Sequence, residues 1–238
     1  MNLRLISVNT IELCVDRGGN SILHDININI EAGRILGLLG PSGSGKTTLM
    51  RTIAGLQQIK SGKVSVLGNA SGSVELRSRI AYSTQSASVY SDLTCLENLN
   101  YFAALHKESE MSVAEILAEV DLTKNRKQLA RTLSGGELAR LALATTLVGK
   151  PEVLILDEPT VGLDPLLRNQ LWKLFALLTA RGKTVIVSSH VMEEADMCDD
   201  LILMREGKVL ASGSPAELRE RTGHSKMESV FISLVAGK

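Results

Sequence analysis

Three consecutive stretches near residue 40 constrain the fold more than any other feature. Arg34-Ile-Leu-Gly-Leu-Leu39 is a short, continuous apolar run, as expected for a strand buried on both faces. It passes directly into Gly40-Pro-Ser-Gly-Ser-Gly-Lys-Thr-Thr48, and then into an apolar-periodic stretch to Leu56 that reads as a helix. The loop matches the P-loop pattern G-x4-G-K-[ST] at every specified position and in the required strand-to-helix context. Its glycines let the backbone wrap tightly and turn its N–H groups inward. The helix start adds unpaired donors and a positive dipole end, which favour an anion by up to ~2 kcal/mol. Gly40, Pro41, Ser42, Gly43, Ser44, Gly45, Lys46, Thr47 and Thr48 are therefore candidate phosphate-binding residues. Lys46 has the reach for β- and γ-phosphates, and the Thr47 hydroxyl is a candidate Mg2+ ligand. A glycine-rich turn with a chance lysine is the plainer reading, but it does not explain the full match. The loop by itself does not choose among kinases, GTPases, motors and transport ATPases.

The rest of the chain alternates in character. Ile26, Ile28 and Ile30 interleave with Asn27 and Asn29, the period of a half-buried strand. Val64 and Val66 mark another strand, and Arg79 to Ser83 a further one. From Thr94 to Leu147 the period becomes helical, with Ser112-Val-Ala-Glu115 and Ser134-Gly-Gly-Glu137 as helix-opening capping boxes. Strands return at Val153-Leu-Ile-Leu156 and Thr184-Val-Ile-Val187, separated by a helix from Leu166 to Ala180. Leu201 to Ala211, with Glu206-Gly207 inside, reads as a hairpin, and Ser214-Pro-Ala-Glu217 opens a last helix. Such alternation means a mostly parallel sheet covered by helices. The expected division is an α/β core from 1–85 and 151–222, a helical subdomain from 86–150, and a tail from 223–238.

Composition narrows the function classes. With 238 residues and 44% apolar content, the chain can bury a substantial core. Twenty-six basic residues balance 26 acidic ones, which disfavours a general grip on nucleic acid, and 3% aromatics disfavours a base-stacking platform. Cys14, Cys95 and Cys198 are scattered, as suits a reducing compartment, and they form no zinc-site pattern. The start of the chain lacks the features of a signal peptide, and no apolar run reaches membrane-spanning length. Any work at a membrane therefore needs a partner that holds the chain there.

Asp157 and Glu158 close the Val153 strand, at the edge where open α/β sheets place their ligands. Successive strand residues point to opposite sides, so the two carboxylates suit different tasks. Asp157 suits the metal and Glu158 an attacking water. A polar strand end is the plain alternative, and the P-loop upstream is what favours chemistry.

Leu133-Ser-Gly-Gly-Glu137 distinguishes among the P-loop proteins. Together with Gly40 to Thr48 and Leu154-Ile-Leu-Asp-Glu-Pro159, it makes the chain resemble the nucleotide-binding subunit of an ATP-binding cassette (ABC) transporter. The spacing also fits, with 49 positions from Gln85 to Ser134 and 23 from Ser134 to Asp157. The resemblance implies a P-loop NTPase (RecA-like) α/β core with a mostly parallel sheet, an N-terminal antiparallel β subdomain and an inserted α-helical subdomain. It implies ATP and Mg2+ as cofactors, Gln85 as a metal ligand that also touches the water, and His190 as the residue facing the γ-phosphate. It further implies a head-to-tail dimer, with Ser134, Gly135 and Gly136 of one copy closing on the P-loop of the other and Asp164 communicating across the interface. An ordinary N-capped helix would explain Ser134 alone. The family's adenine-stacking aromatic has no counterpart, and the matching position falls near Arg17, whose guanidinium plane can stack on a base. His24, His106 and His224 carry no such assignment. Ser188-Ser-His-Val-Met-Glu-Glu-Ala-Asp196, Arg205-Glu-Gly207 and the closing Glu228 to Leu234 are most like the ABC-2 type exporters. The expected role is an ATPase at the cytoplasmic face of a membrane, energising export through a separate permease. The alternatives are a soluble ABC ATPase acting on ribosomes or DNA, and a catalytically silent regulatory cassette.

Overall fold

Alternation decides the first sheet. Strand β1 (Ile6–Arg17) turns at Gly18-Gly19 into β2 (Asn20–Glu31). Ile26, Ile28 and Ile30 point inward from β2, and Asn27 and Asn29 point out. The computed structural model describes residues 5–84, 88–106, 111–149 and 151–237. β3 (Ile35–Leu39) leads into α1 (Lys46–Ile53), followed by β4 (Ser61–Val66), β5 (Asn69–Ala70) and β6 (Ile80–Ser83). β4 pairs with the other edge of β1, giving an antiparallel sheet in the order β2-β1-β4-β5. The helix expected to reach Leu56 stops at Ile53, because Gly55 adopts φ 75° and redirects the chain.

Three helices then follow: α2 (Cys95–Ala104), α3 (Val113–Glu119) and α4 (Gly135–Leu147). Each opens with a reciprocal capping box, Thr94 with Glu97, Ser112 with Glu115 and Ser134 with Glu137. The remaining elements are β7 (Val153–Asp157), α5 (Pro165–Ala180), β8 (Thr184–Ser189), β9 (Asp200–Arg205), β10 (Lys208–Gly213), α6 (Pro215–Thr222) and α7 (Met227–Val235). They complete a second sheet in the order β10-β9-β3-β8-β7-β6, parallel throughout except for the β9–β10 hairpin.

The continuous apolar runs reflect a sheet with a core on each face. Leu36 and Leu38 of β3, Val153 and Ile155 of β7, and Ile186 of β8 face α1 and the antiparallel sheet. Their neighbours Ile35, Leu39, Leu154, Leu156, Val185 and Val187 face the opposite core, shared with α2 to α7. Period-2 alternation thus survives in direction although it is absent from polarity. A buried hydrogen bond between the Ser7 and Thr184 hydroxyls (2.7 Å) ties the two sheets together, and the Gly33 amide donates to the same Thr184 oxygen at 3.1 Å.

Phe175 of α5 is fully buried and meets Trp172 edge to face, with ring centroids 5.3 Å apart. Phe175→Ala should lower unfolding free energy by about 3–5 kcal/mol, read as a reduced urea midpoint. An unchanged midpoint would mean that this helix contributes little to the core.

Candidate functional site

The strand order places the C-terminal ends of β3, β8 and β7 side by side. Leu39 lies opposite Ser189, and Ser188 lies opposite Asp157. Each end carries one of the sequence motifs, so residues distant in the chain meet at one edge.

The loop after β3 wraps as its glycines permit, with Gly45 at φ 102° serving as the N-cap of α1. Among the described residues, no group accepts a hydrogen bond from the amides of Gly43, Gly45, Lys46, Thr47 or Thr48. Lys46 is buried, and its Nζ donates to the carbonyls of Gly40 (2.8 Å) and Pro41 (3.1 Å). Burial pulls its pKa below the ordinary lysine value, and the charges of Glu158 and Asp157 oppose that shift. The Ser44 hydroxyl is buried without a partner, and the Thr47 side chain is exposed. The loop is braced from behind. The Gly207 amide in the β9–β10 turn donates to Ser44 O (3.0 Å), and Gly207 O accepts from the His24 amide of β2 (2.9 Å).

Asp157 is held from two sides. Ser188 Oγ donates to Oδ1 at 2.6 Å and the Tyr82 hydroxyl to Oδ2 at 3.3 Å. Burial, and then the Asp157 charge, push the Tyr82 pKa up to about 12, so this hydroxyl stays a donor. The Glu158 amide in turn donates to Ser188 Oγ at 2.9 Å. Glu158 sits at φ 50°, a left-handed conformation that costs of order 1–3 kcal/mol and is held by this surrounding network. His190 Nδ1 lies 3.4 Å from Glu158 Oε1. Lys46, Asp157, Glu158 and His190 are thus assembled into one site. Tyr82 and Ser188 join them, although the sequence reading gave neither a role.

The other candidates lie elsewhere. Ser134 caps α4, exchanging hydrogen bonds with Glu137 through its amide (2.8 Å), its hydroxyl (2.9 Å) and the Glu137 amide (3.3 Å). Those bonds hold the Glu137 carboxyl below its usual pKa range. Gly135 is exposed, and Gly136 is packed so closely under Leu167 that a Cβ there would collide with it. Asp164 caps α5, accepting from the amides of Leu166 (2.9 Å) and Leu167 (3.0 Å). The Ser134 and Asp164 turns are therefore neighbours through Leu167, and no described hydrogen bond joins either to the Lys46 site. Gly135 and Glu158 both line a cleft of about 240 Å3 beside α4. Arg17 is exposed at the β1–β2 turn. Gln85 lies outside the described residues.

A glycine-wrapped loop between strand and helix, with an Asp-Glu pair on a nearby parallel strand, defines a P-loop nucleotide-binding domain. Residues 23–161 match the family model described as ABC transporter. The chain belongs to that family. It is similar to the probable multidrug ABC transporter ATP-binding protein YbhF of Escherichia coli strain K12, at 38% identity over 226 residues, covering 92% of this chain and 39% of that protein. The chain thus spans about two fifths of that relative's length. It is also similar to the Nod factor export ATP-binding protein I of Rhizobium johnstonii, at 39% identity over 210 residues, covering 85% of this chain and 68% of the relative. The solved structure of cbiO1 from Clostridium perfringens, part of the ABC transporter complex cbiONQ, superimposes with a TM-score of 0.83 at 28% identity, covering 90% of this chain and 91% of that one.

Ser188 bridges Asp157 and the Glu158 amide, so Ser188→Ala removes both bonds inside the sheet. It should cost about 1–3 kcal/mol of stability in urea denaturation. A wild-type midpoint would show that the bridge does not hold the two carboxylates.

Proposed function

We propose that this chain is the ATP-binding and ATP-hydrolysing subunit of an exporter, driving a separate membrane permease. The observation that carries this reading is the convergence of Lys46, Asp157, Glu158 and His190 on one strand edge, beside a loop of unpartnered amides.

The amides of residues 43–48 and the Lys46 ammonium hold the phosphates, with Lys46 exchanging its two carbonyl partners for phosphate oxygens. The donor set fits a hard divalent cation, since Thr47 offers a hydroxyl oxygen and Asp157 a carboxylate. Thr47, Asp157 and Gln85 are the residues that would hold Mg2+, which when bound neutralises charge on the phosphate oxygens. Glu158 accepts the proton of the attacking water. His190 orients that carboxylate and faces the terminal phosphate. Arg17 stacks on the base.

The single chain carries a second helix start suited to an anion, the exposed beginning of α4 at Ser134 and Gly135, and no described hydrogen bond joins it to the chain's own Lys46 site. A head-to-tail dimer resolves this, with Ser134, Gly135 and Gly136 of each copy meeting nucleotide held by the other and Asp164 lying at the interface. Binding closes the pair and hydrolysis opens it, a two-state motion that a permease can use. Among the described residues no helix is long and apolar enough to cross a membrane. In this reading the chain attaches peripherally at the cytoplasmic face through the permease. Export follows the roles for which the relatives are named, multidrug transport and Nod factor export.

Glu158→Gln should slow ATP hydrolysis by about 10²–10⁴-fold while leaving ATP affinity intact. In size-exclusion chromatography with MgATP, the variant should run as a dimer. Unchanged turnover would remove Glu158 from its role.

A further inference from the structure

β7 and β8 run side by side, and each sends a chain segment past the site. One carries Asp157 and Glu158 on to Asp164 and α5. The other carries Ser188 and His190 into a short 3-10 helix, Met192–Met197. Three cross-links join these segments. The first is Ser188 with Asp157 and the Glu158 amide, and the second is His190 with Glu158. The third lies farther out, where Arg168 Nε stands 3.5 Å from Glu194 Oε1.

The third link is unusual in the burial of its carboxylate, while its arginine is half-exposed. Glu194 is 3% exposed, yet among the described residues neither carboxylate oxygen receives a hydrogen bond, and the Arg168 Nε donates none. Arg168 also reaches back toward the Leu163 carbonyl, 3.5 Å from its Nη2, just before Asp164. Arg168 is half-exposed, so the buried Glu194 carboxylate faces a partly solvated cation, and such a pair is a poor source of stability. Its position offers another use. Arg168 lies one helical turn beyond Asp164, and Glu194 lies four residues beyond His190. The pair therefore fixes the spacing of the two segments beyond the point where His190 meets Glu158.

We propose that Arg168 and Glu194 form a positioning pair that sets His190 against Glu158 and ties that geometry to the Asp164 turn. Neither side chain touches the reacting groups, and both act through the segments they join. The proposal depends on the reading of Glu158 and His190 as the hydrolytic residues.

The test compares Arg168→Met, Arg168→Lys and Glu194→Gln in steady-state MgATP hydrolysis, with ATP affinity measured separately by calorimetry. The Met and Gln variants should lose about ten- to a hundredfold in kcat, the scale of a small misplacement of reacting groups. Their KM and ATP affinity should stay within about twofold of wild type, because binding is left alone. Arg168→Lys keeps a cation on an aliphatic stem and should stay within about threefold of wild-type kcat, whereas Met keeps only the stem. A packing role would move Met and Lys alike. Equal losses in those two variants, affinity falling together with kcat, or unchanged kcat throughout would overturn the proposal. Should Arg168→Met fail to fold, Glu194→Gln, which preserves side-chain shape, decides the matter alone. Wild-type protein without ATP hydrolysis would overturn the underlying reading, whereas active wild type with unaffected variants would overturn the pair only.

Discussion

A loop in which five backbone donors have no acceptor among the described residues is the constraint on which the rest of the structure depends. Among the described residues the amides of Gly43, Gly45, Lys46, Thr47 and Thr48 have no acceptor, and a donor left unpaired costs of order 1–3 kcal/mol where it is buried, as at Gly45, Lys46 and Thr48. Such a loop needs external bracing. β3, buried along its whole length, anchors its start, and α1 anchors its end. The β9–β10 turn holds its back through Ser44, and Lys46 closes its front by bonding the Gly40 and Pro41 carbonyls. The loop is thus held in shape by the elements around it.

The second requirement is proximity of chemistry to that anion, and strand order supplies it. β8 lies between β3 and β7, so Ser188 meets Asp157 across one interface while Ser189 meets Leu39 across the other. The left-handed backbone of Glu158 is tolerated because its amide and its neighbour Asp157 are both tied to the same serine hydroxyl. The sheet can hold this strain because each of its faces packs against a separate apolar core.

Much of this arrangement was legible in the residues, because local rules governed it. The glycine loop, the buried strands, the capping boxes at Ser112, Ser134 and Ser214, and the Asp-Glu strand end are all short-range patterns. What stayed hidden depends on strand pairing. Ser188 looks like one hydroxyl in an apolar strand until register puts it opposite Asp157, and Tyr82 gains a partner only because β6 pairs with β7. The apolar period continues past Gly55, but the backbone conformation there ends α1 at Ile53. Arg168 and Glu194 are 26 positions apart, and no local pattern joins them in the sequence.

The account's central claim is that the loop after β3 grips nucleotide phosphate through Lys46 and its backbone amides. Titration calorimetry of MgATP into wild type and Lys46→Ala tests it most directly. The account requires one nucleotide bound per wild-type chain and an affinity at least about tenfold weaker in the variant, the loss expected of a charge-assisted contact. Equal affinities in the two proteins, or no binding to either, would contradict it.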